Sequence, residues 1–398
     1  MKAALLNAVV LVSFFPLAAS AQSIVEVAGT REVKRISGDG QHALTDTSLV
    51  GPGYQLQRIT PAGTEWYCTG LSHDGSTVMG HRTVDGVRYP ARWTAVTGWV
   101  HFNLPQSTLS AGFSESSADA SCILGSAEFG PNDWRSFLWR ESTGYQFIDC
   151  CTATPPGGIS SDGRTVTGYR WISARMFAFH WRQDQGLQQL PLPPGALFSF
   201  PWGISGDGHT VTGYFKMNVP TPPAIACAWV DGQLRTLPLP SGAVGGYALE
   251  PSSDGRIIGG MWYDSTNTRR ACVWTSTGVH DLTTLLTSSG VNLSNWRILN
   301  ECLDVSDDGL RVVGYGENAL FRRAGWIATL PHTLRCLSAD IDQDGVTSDA
   351  DVQAFFACLG GNCCSTCDQR AADFNGDGDA ATDQDIESFF RVLIGQHC

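Results

Sequence analysis

Apolar and polar residues alternate along most of the chain in short runs, and glycine-bearing turns separate the runs. Thr165-Val-Thr-Gly-Tyr169 and Thr210-Val-Thr-Gly-Tyr214 are β-branched with a period of two, which is the pattern of a half-buried strand. Ala178-Phe-His-Trp181 and Ala226-Cys-Ala-Trp229 follow them as a second strand. Gly186-Leu-Gln-Gln-Leu-Pro191 reads as a third, ending at proline, and Phe200-Pro-Trp-Gly-Ile204 as a fourth that runs into the next Asp-Gly. Asp-Gly between apolar runs predicts a tight hairpin of type I′, with positive φ at both central residues.

The unit recurs. Its Asp falls at Asp39, Asp74, Asp119, Asp162, Asp207, Asp254 and Asp308, with gaps of 35, 45, 43, 45, 47 and 54 residues. A Trp-centred strand follows the last six, at Trp93, Trp139, Trp181, Trp229, Trp274 and Trp326, and Tyr54-Gln-Leu-Gln stands in for it in the first copy. A period of this length signals a solenoid or a propeller. Four strands per copy is the content of one propeller blade. One such sheet cannot bury its own face, so neighbours must stack, each buried Trp adding roughly a few kcal/mol from apolar area. No stretch shows the i, i+3, i+4 spacing of a helical repeat. The expected fold is therefore all-β, a seven-bladed β-propeller. A six-bladed ring with an irregular first or third unit is its rival, since the third copy carries Asp119-Ala120 in place of Asp-Gly.

At the N-terminus, Lys2 precedes an apolar run from Ala3 to Leu17 and then Ala19-Ser-Ala21. This is the plan of a secretory signal peptide over 1–21, cleaved before Gln22. The run is too short for a membrane span, and no other stretch in the mature chain is long and apolar enough for one. Residues 22–335 then form the propeller, 314 residues at about 45 per blade. Lysine is confined to Lys2, Lys34 and Lys216, and no arginine cluster is interleaved with aromatics. That excludes the basic field nucleic-acid binding needs.

Of the net charge of −12, residues 336–398 carry −10, from 11 Asp, 1 Glu and 2 Arg. The charge comes as two similar loops, each opening onto an amphipathic helix with a Phe-Phe pair. Calcium takes six to eight oxygens, supplied by positions 1, 3, 5, 7, 9 and 12 of an Asp-x-Asp/Asn-x-Asp-Gly loop. The first loop offers Asp340, Asp342, Asp344, the Val346 carbonyl, Ser348 through water and Asp351. The second offers Asp373, Asn375, Asp377, the Asp379 carbonyl and Asp385. Position 12 of the second loop is Gln384; an inserted residue brings Asp385 into the closing role, because it precedes Phe389-Phe390 as Asp351 precedes Phe355-Phe356. Two Ca2+ ions are expected in this tail.

Thirteen cysteines in an exported chain suggest disulfides. Six lie in the tail and allow fifteen connectivities; a zinc knuckle from Cys363-Cys364-x-x-Cys367 is the competing arrangement. Cys227 and Cys272, each two residues before a blade Trp, read as apolar strand fillers.

The Ser160-x-Asp-Gly163 turn and the Ala178-Phe-x-Trp181 strand resemble the HAF-type extracellular repeat. That resemblance covers most of residues 30–330 and implies an exported repeat protein. The duplicated loop–helix units over 339–396 look like a type I dockerin, with Asp at the closing position. This implies a docking tag for a cohesin-like or cell-surface protein. The tail's cysteines resemble those of dockerin-like sorting or anchoring tails on other exported bacterial proteins. An exported propeller that binds a polysaccharide or protein ligand, carried by a docking or anchoring tail, is the functional expectation. A purely structural surface component fits the same sequence. The alternative is a propeller glycoside hydrolase or lyase, which keeps two or three carboxylates around the funnel; Glu65, Glu115, Glu250, Asp264 and Glu317 are the candidates, and His180 and His209 read as strand or surface residues. No nucleophile elbow, zinc-protease or P-loop motif is present.

Overall fold

The computed structural model describes residues 22–394 apart from 62–64, 132, 149–156, 173–174, 222, 332–333, 335, 343–345, 365–366, 368–369 and 377–378. The signal peptide over 1–21 lies outside these residues, as do Cys150, Cys151 and Cys398.

Seven four-stranded antiparallel sheets make up the ring. Blade one holds Arg35–Ile36, Ala43–Leu44, Ser48–Val50 and Leu56–Arg58. Blades two to six follow in chain order, each running from the inner strand at the axis to the outer edge. Blade seven takes its inner three strands from Trp296–Val305, Arg311–Asn318 and Arg323–Thr329, and its outer strand from the other end of the chain, Ser23–Val27. Ser23 pairs with Thr329 and Val27 with Gly325. The ring is thus clasped by its own N-terminus, and the fold is a seven-bladed β-propeller rather than a six-bladed one.

The repeat turn differs from the type I′ expectation. Positive φ occurs at the glycines, as in Gly163 (69°) and Gly208 (75°), and not at the aspartates before them. Each turn instead closes through its side chains. The Ser205 hydroxyl donates to Asp207 Oδ1 (2.5 Å) and accepts from Thr210 N–H (2.9 Å), while Asp207 Oδ1 also accepts from His209 N–H (2.9 Å). The same three bonds recur in all seven copies, Ser37–Asp39 and Ser306–Asp308 included. This is a four-residue connection with one left-handed position, which glycine fills without strain. Ala120 fills it in blade three at φ 55°.

Trp93, Trp139, Trp181, Trp229 and Trp274 lie on the third strand of their blades, opposite Val78, Ile123, Val166, Val211 and Ile258. Two copies depart from the expected pattern. In blade one the third strand is Ser48–Val50, with Val50 opposite Ala43 in the Trp place, and Tyr54 sits in the following 3-10 turn. In blade seven Trp326 faces Gly314, two pairs along the strand, and Ala328 occupies the usual site opposite Val312. The shift has an energetic signature. Trp229 Nε1 donates to Pro191 O (2.8 Å) and Trp274 Nε1 to Pro238 O (2.6 Å), stitching each blade to the one before. Trp326 Nε1 is buried with no such partner among the described residues. Trp→Phe at 229 or 274 is therefore expected to destabilise by about 1 kcal/mol more than Trp326→Phe, the worth of one net hydrogen bond, as read from urea midpoints.

A helix missed by the sequence reading, α1 (Leu282–Ser288), caps blade six; Asp281 is its N-cap and Leu282 and Leu286 are buried in the core of blade seven. Its signal was present, because Leu282, Leu285 and Leu286 have the i, i+3, i+4 spacing behind a capping Asp. Cys68, Cys122, Cys227, Cys272 and Cys302 are buried thiols, and burial pushes Cys68 up to about 12. The tail holds α2 (Asp349–Leu359) and α3 (Asp383–Leu393), packed through Phe355, Phe374 and Phe389, with the Phe355 and Phe389 rings stacked at 4.0 Å. Cys358–Cys363 and Cys364–Cys367 are at disulfide distance, which leaves no thiol set for a zinc knuckle there. Leu334 belongs to the core of blade seven and Cys336 already to that of the tail.

Candidate functional site

Aligning the seven blades on the repeat Ser stacks three layers along the central channel. The narrow end is formed by the residue after that Ser: Gly38, His73, Ala118, Ser161, Gly206, Ser253 and Asp307. Backbone bonds pass from blade to blade here. Gly38 N–H donates to His73 O (2.7 Å), Ala118 to Ser161 (2.9 Å), Ser161 to Gly206 (2.8 Å), Asp207 to Ser253 (3.0 Å), Ser253 to Asp307 (3.3 Å) and Asp307 to Gly38 (3.0 Å). His73 Nε2 meets Asp307 Oδ2 at 2.6 Å across Gly38, where a Cβ would sit 2.2 Å from that carboxylate. Only glycine lets blades two and seven approach this closely.

The middle layer lies two residues before each Ser: Arg35, Gly70, Glu115, Gly158, Gly203, Glu250 and Asp304. Three glycines leave room, and the four charged residues fill it. Arg35 donates through Nε and Nη2 to Glu115 Oε1 (2.9 and 2.6 Å), and its Nη2 stands 3.6 Å from Glu250 Oε1. Asp304 Oδ2 accepts from Ile36 N–H and its Oδ1 from Val305 N–H, both at 2.8 Å. Three carboxyls thus share one guanidinium. Burial raises Glu250 well above the usual carboxylate range, against the pull of Arg35 and with the repulsion of Glu115. Asp304 goes up to about 7 for the same leading reason. The cavity around this layer measures about 110 Å3.

Beyond it the channel widens to a mouth of about 490 Å3 on the face away from the Asp-Gly turns. Trp202, 37 % exposed, and Tyr315 present rings there, with Arg269, Arg323 and Lys34 among them. Glu301 accepts from Arg269 Nη1 (2.6 Å) and from the Tyr315 hydroxyl (2.7 Å); Glu32 pairs with Arg323 and lies 3.5 Å from Lys34. Burial and that bond to Glu301 push the Tyr315 phenol up to about 12, so it stays a hydrogen-bond donor at neutral pH. Between the blades a run of rings goes from Tyr169 through Phe200 and Tyr214 to Tyr247, with centroids 4.7, 5.9 and 4.6 Å apart.

Of the sequence candidates, the structure brings Glu115 and Glu250 together and adds Arg35 and Asp304, which sequence reasoning missed. It does not bring in the others. Glu65 is exposed at the start of blade two, Asp264 caps its own turn by accepting from Thr266 and Thr268, and Glu317 pairs with Arg297. His180 bonds to Gln188 on the next strand, and His209 to Asp231.

In the tail, Asp340, Asp342 and Asp351 offer carboxylate oxygens within 4.8 Å of one another. That separation suits oxygens placed around one cation at about 2.3–2.6 Å each. Asp351 is fully buried and accepts from Ile341 (2.7 Å) and Ser348 (2.7 Å) N–H, while Ser348 caps α2. Asp385, equally buried, accepts from Asn375 (3.2 Å) and Thr382 (2.9 Å) N–H and so takes the matching place before α3. The extra residue of the second loop is absorbed at Ala381, whose φ is 61°. Val346 and Asp379 are exposed, Asp373 and Asn375 half-buried; Asp344 and Asp377 lie outside the described residues.

No family model matches the sequence, and no curated protein matches it. Solved structures do. An oligogalacturonate lyase in complex with manganese aligns over 80% of this chain and 95% of its own, with a TM-score of 0.54 and 14% identity. The β-propeller domain of the Trilobed protease from Pyrococcus furiosus, described as having an open velcro topology, aligns over 77% and 94%, with 0.51 and 12%. TolB from Acinetobacter baumannii matches over 64% of each chain, less than two thirds of its length, with 0.42 and 13%. The likeness is one of fold. In this chain the ring is closed by Ser23–Val27. Among the described residues no helix is long and apolar enough to cross a membrane.

Proposed function

We propose that the protein is an exported, calcium-stabilised binding scaffold that takes a polyhydroxylated ligand, of which polysaccharide is the leading class, at the wide mouth of its propeller. The contrast between the two channel cavities carries this reading. Ligand pockets run from about 300 to 1,000 Å3, so the mouth at about 490 Å3 is of ligand size and the layer below it, at about 110 Å3, is not. Sugar rings stack on exposed aromatic faces such as Trp202, and the Arg269–Glu301–Tyr315 network supplies donors and acceptors at the rim. In the tail, Asp340, Asp342, Asp344, Val346, Ser348 and Asp351 would hold one Ca2+, and Asp373, Asn375, Asp377, Asp379 and Asp385 a second. Calcium near millimolar and a Kd of about 10⁻⁵–10⁻⁶ M would add roughly 3–4 kcal/mol per site. The HAF-type and dockerin-like resemblances belong to the same proposal, with the tail as a docking or anchoring element for a cohesin-like or cell-surface protein.

The second reading is a glycoside hydrolase or lyase, favoured by the meeting of Glu115 and Glu250 in the channel. Their carboxyls are close enough for paired acid–base work, and a raised Glu250 would suit an acid. Against it, Arg35 fills the space between them, and the cavity admits water rather than a sugar ring.

A glycan array probed with the full chain in millimolar calcium tests the binding reading. Bound glycans whose signal is lost in Trp202→Ala support it; release of reducing ends or unsaturated sugars, abolished by Glu250→Gln, would establish the enzyme instead. For the tail, hydrogen exchange in EDTA is expected to accelerate in α2 and α3 while the blades stay protected. Equal protection with and without chelator would remove calcium from the account.

A further inference from the structure

Two ion pairs at the wide mouth are copies of one device. Glu301 and Glu32 each stand seven residues before a repeat Asp, Asp308 and Asp39. Arg269 and Arg323 each begin the third strand of the preceding blade, Arg269–Thr275 in blade six and Arg323–Thr329 in blade seven. Arg269 Nη1 donates to Glu301 Oε1 (2.6 Å), and Arg323 Nη2 to Glu32 Oε2. The pairs thus bridge two successive blade junctions, six to seven and seven to one. Tyr315 ties them together: its hydroxyl donates to Glu301 Oε1 (2.7 Å), and its ring lies under the Arg323 guanidinium, 3.6 Å from centroid to Cζ.

The two halves of each pair are unequally presented. The side chains of Glu301 and Glu32 are 13 and 20 % exposed, those of Arg269 and Arg323 48 and 41 %. The acids stand behind and hold the guanidiniums in place, and what a ligand meets is cationic. Lys34 adds to this beside Glu32 (3.5 Å), and its other partner, Asp46, is not part of the lining. The acidic tail does not cancel the charge, because it seats on the other face. There Arg256 Nη2 donates to Asp373 O (2.5 Å) and Ser276 Oγ to Cys336 O (2.7 Å), on the side of the Asp-Gly turns.

We propose that Arg269 and Arg323 bind an anionic substituent of the ligand, so that the mouth takes acidic polysaccharide, bearing uronate carboxylates or sulfate esters, in preference to neutral glycan. The inference rests on the reading of the mouth as a glycan site and narrows it. A guanidinium carries five N–H donors, more than its glutamate takes up, and meets an oxyanion through paired bonds about twice as strong as neutral ones. A cleft lined by one sign of charge also focuses its field on the ligand. Trp202 lies on the same mouth of about 490 Å3, which is room for a sugar ring on the indole and its acidic group on the arginines. The chain as a whole carries −12 and repels a polyanion, so the attraction must be local.

The test is an array probed with the full chain at fixed calcium and salt. It carries neutral glycans, uronate glycans (alginate, hyaluronan and glucuronoxylan fragments) and keratan sulfate, which has sulfate and no uronate. Uronate glycans are expected to bind. Reducing their carboxyls to alcohols should weaken binding about tenfold, the worth of a charge-assisted pair. Arg269→Gln with Arg323→Gln should cost about as much on the intact glycan and little on the reduced one, as coupled partners do. Arg269→Lys with Arg323→Lys should recover part of the loss, and Arg164→Gln, exposed at an Asp-Gly turn, should change nothing. Keratan sulfate bound with the same dependence on the arginines supports the anion site and names sulfate as its group. Neutral glycans bound alone, lost in Trp202→Ala and unmoved in the arginine variants, overturn the inference and leave the binding reading in place. No bound glycan of any class overturns both. Thermal melts check that each variant folds, and the reduced glycan decides the matter on the unaltered protein if one does not.

Discussion

A chain that starts at residue 28 is expected to lose cooperative folding. Deleting 22–27 strips blade seven of its outer strand, and with it the five-residue pairing from Ser23↔Thr329 to Val27↔Gly325. Val27 is 2 % exposed in the core shared with Val33, Ile36 and Val313, and Ile24 packs on the core of blade seven. Loss of those two side chains alone removes about 4 kcal/mol of burial, a large share of a typical stability of 5–15 kcal/mol. The exposed edge of Arg323–Thr329 becomes a template for pairing with another chain. Guanidinium unfolding should show a lower midpoint and a broadened transition, and light scattering should show association. Val27→Asp, which keeps the strand but buries a charge, should reproduce most of the destabilisation. A deletion variant that stays monomeric with an unchanged midpoint would mean the clasp contributes nothing.

The second large effect belongs to Arg35. Removing one partner of a buried ionic group typically costs about 3–5 kcal/mol, and here Arg35→Met leaves Glu115, Glu250 and Asp304 facing one another in a small cavity. The penalty should grow with pH, because the carboxyls can escape it by taking up protons in acid. In the unaltered protein the sign follows from the raised values. Glu250 and Asp304 hold protons in the folded state that they would release when unfolded, so stability is greater near pH 4 and falls as pH rises toward about 7, where Asp304 ionises. The repeat aspartates act the other way: hydrogen bonds from their turns hold Asp74, Asp119 and Asp162 below their usual range, so their contribution is lost only below about pH 4. Melting temperatures at fixed calcium should therefore peak near pH 4. Asp304→Asn should flatten the limb between pH 5 and 7.5; a limb that persists in that variant would assign the pH dependence elsewhere.

Much of the ring was legible because its cause is local and repeated. Ser-x-Asp-Gly closes a turn with three side-chain bonds, and alternation after it makes a strand whatever blade it belongs to. What sequence reasoning misjudged sits where one copy departs from the others. Trp326 keeps the motif's spelling but is shifted by two pairs, and Val50 has no aromatic to announce it. The channel was harder for a different reason. Glu115 and Glu250 looked like residues outside the repeat, yet both occupy its position two before the Ser, as do Arg35 and Asp304. Counting back four residues from each repeat Asp would have lined up all four. The contact between Arg256 and Asp373 spans 117 residues, and no periodicity in the chain reports it.

The seating of the tail also fixes a direction. Blade six meets it through the Asp-Gly turn that carries Arg256 and through Ser276, both on the pinched side of the ring, while Trp202 and Tyr315 open on the opposite side. A copy moored by its C-terminal helices would hold its funnel facing outward, like a cup on a stand.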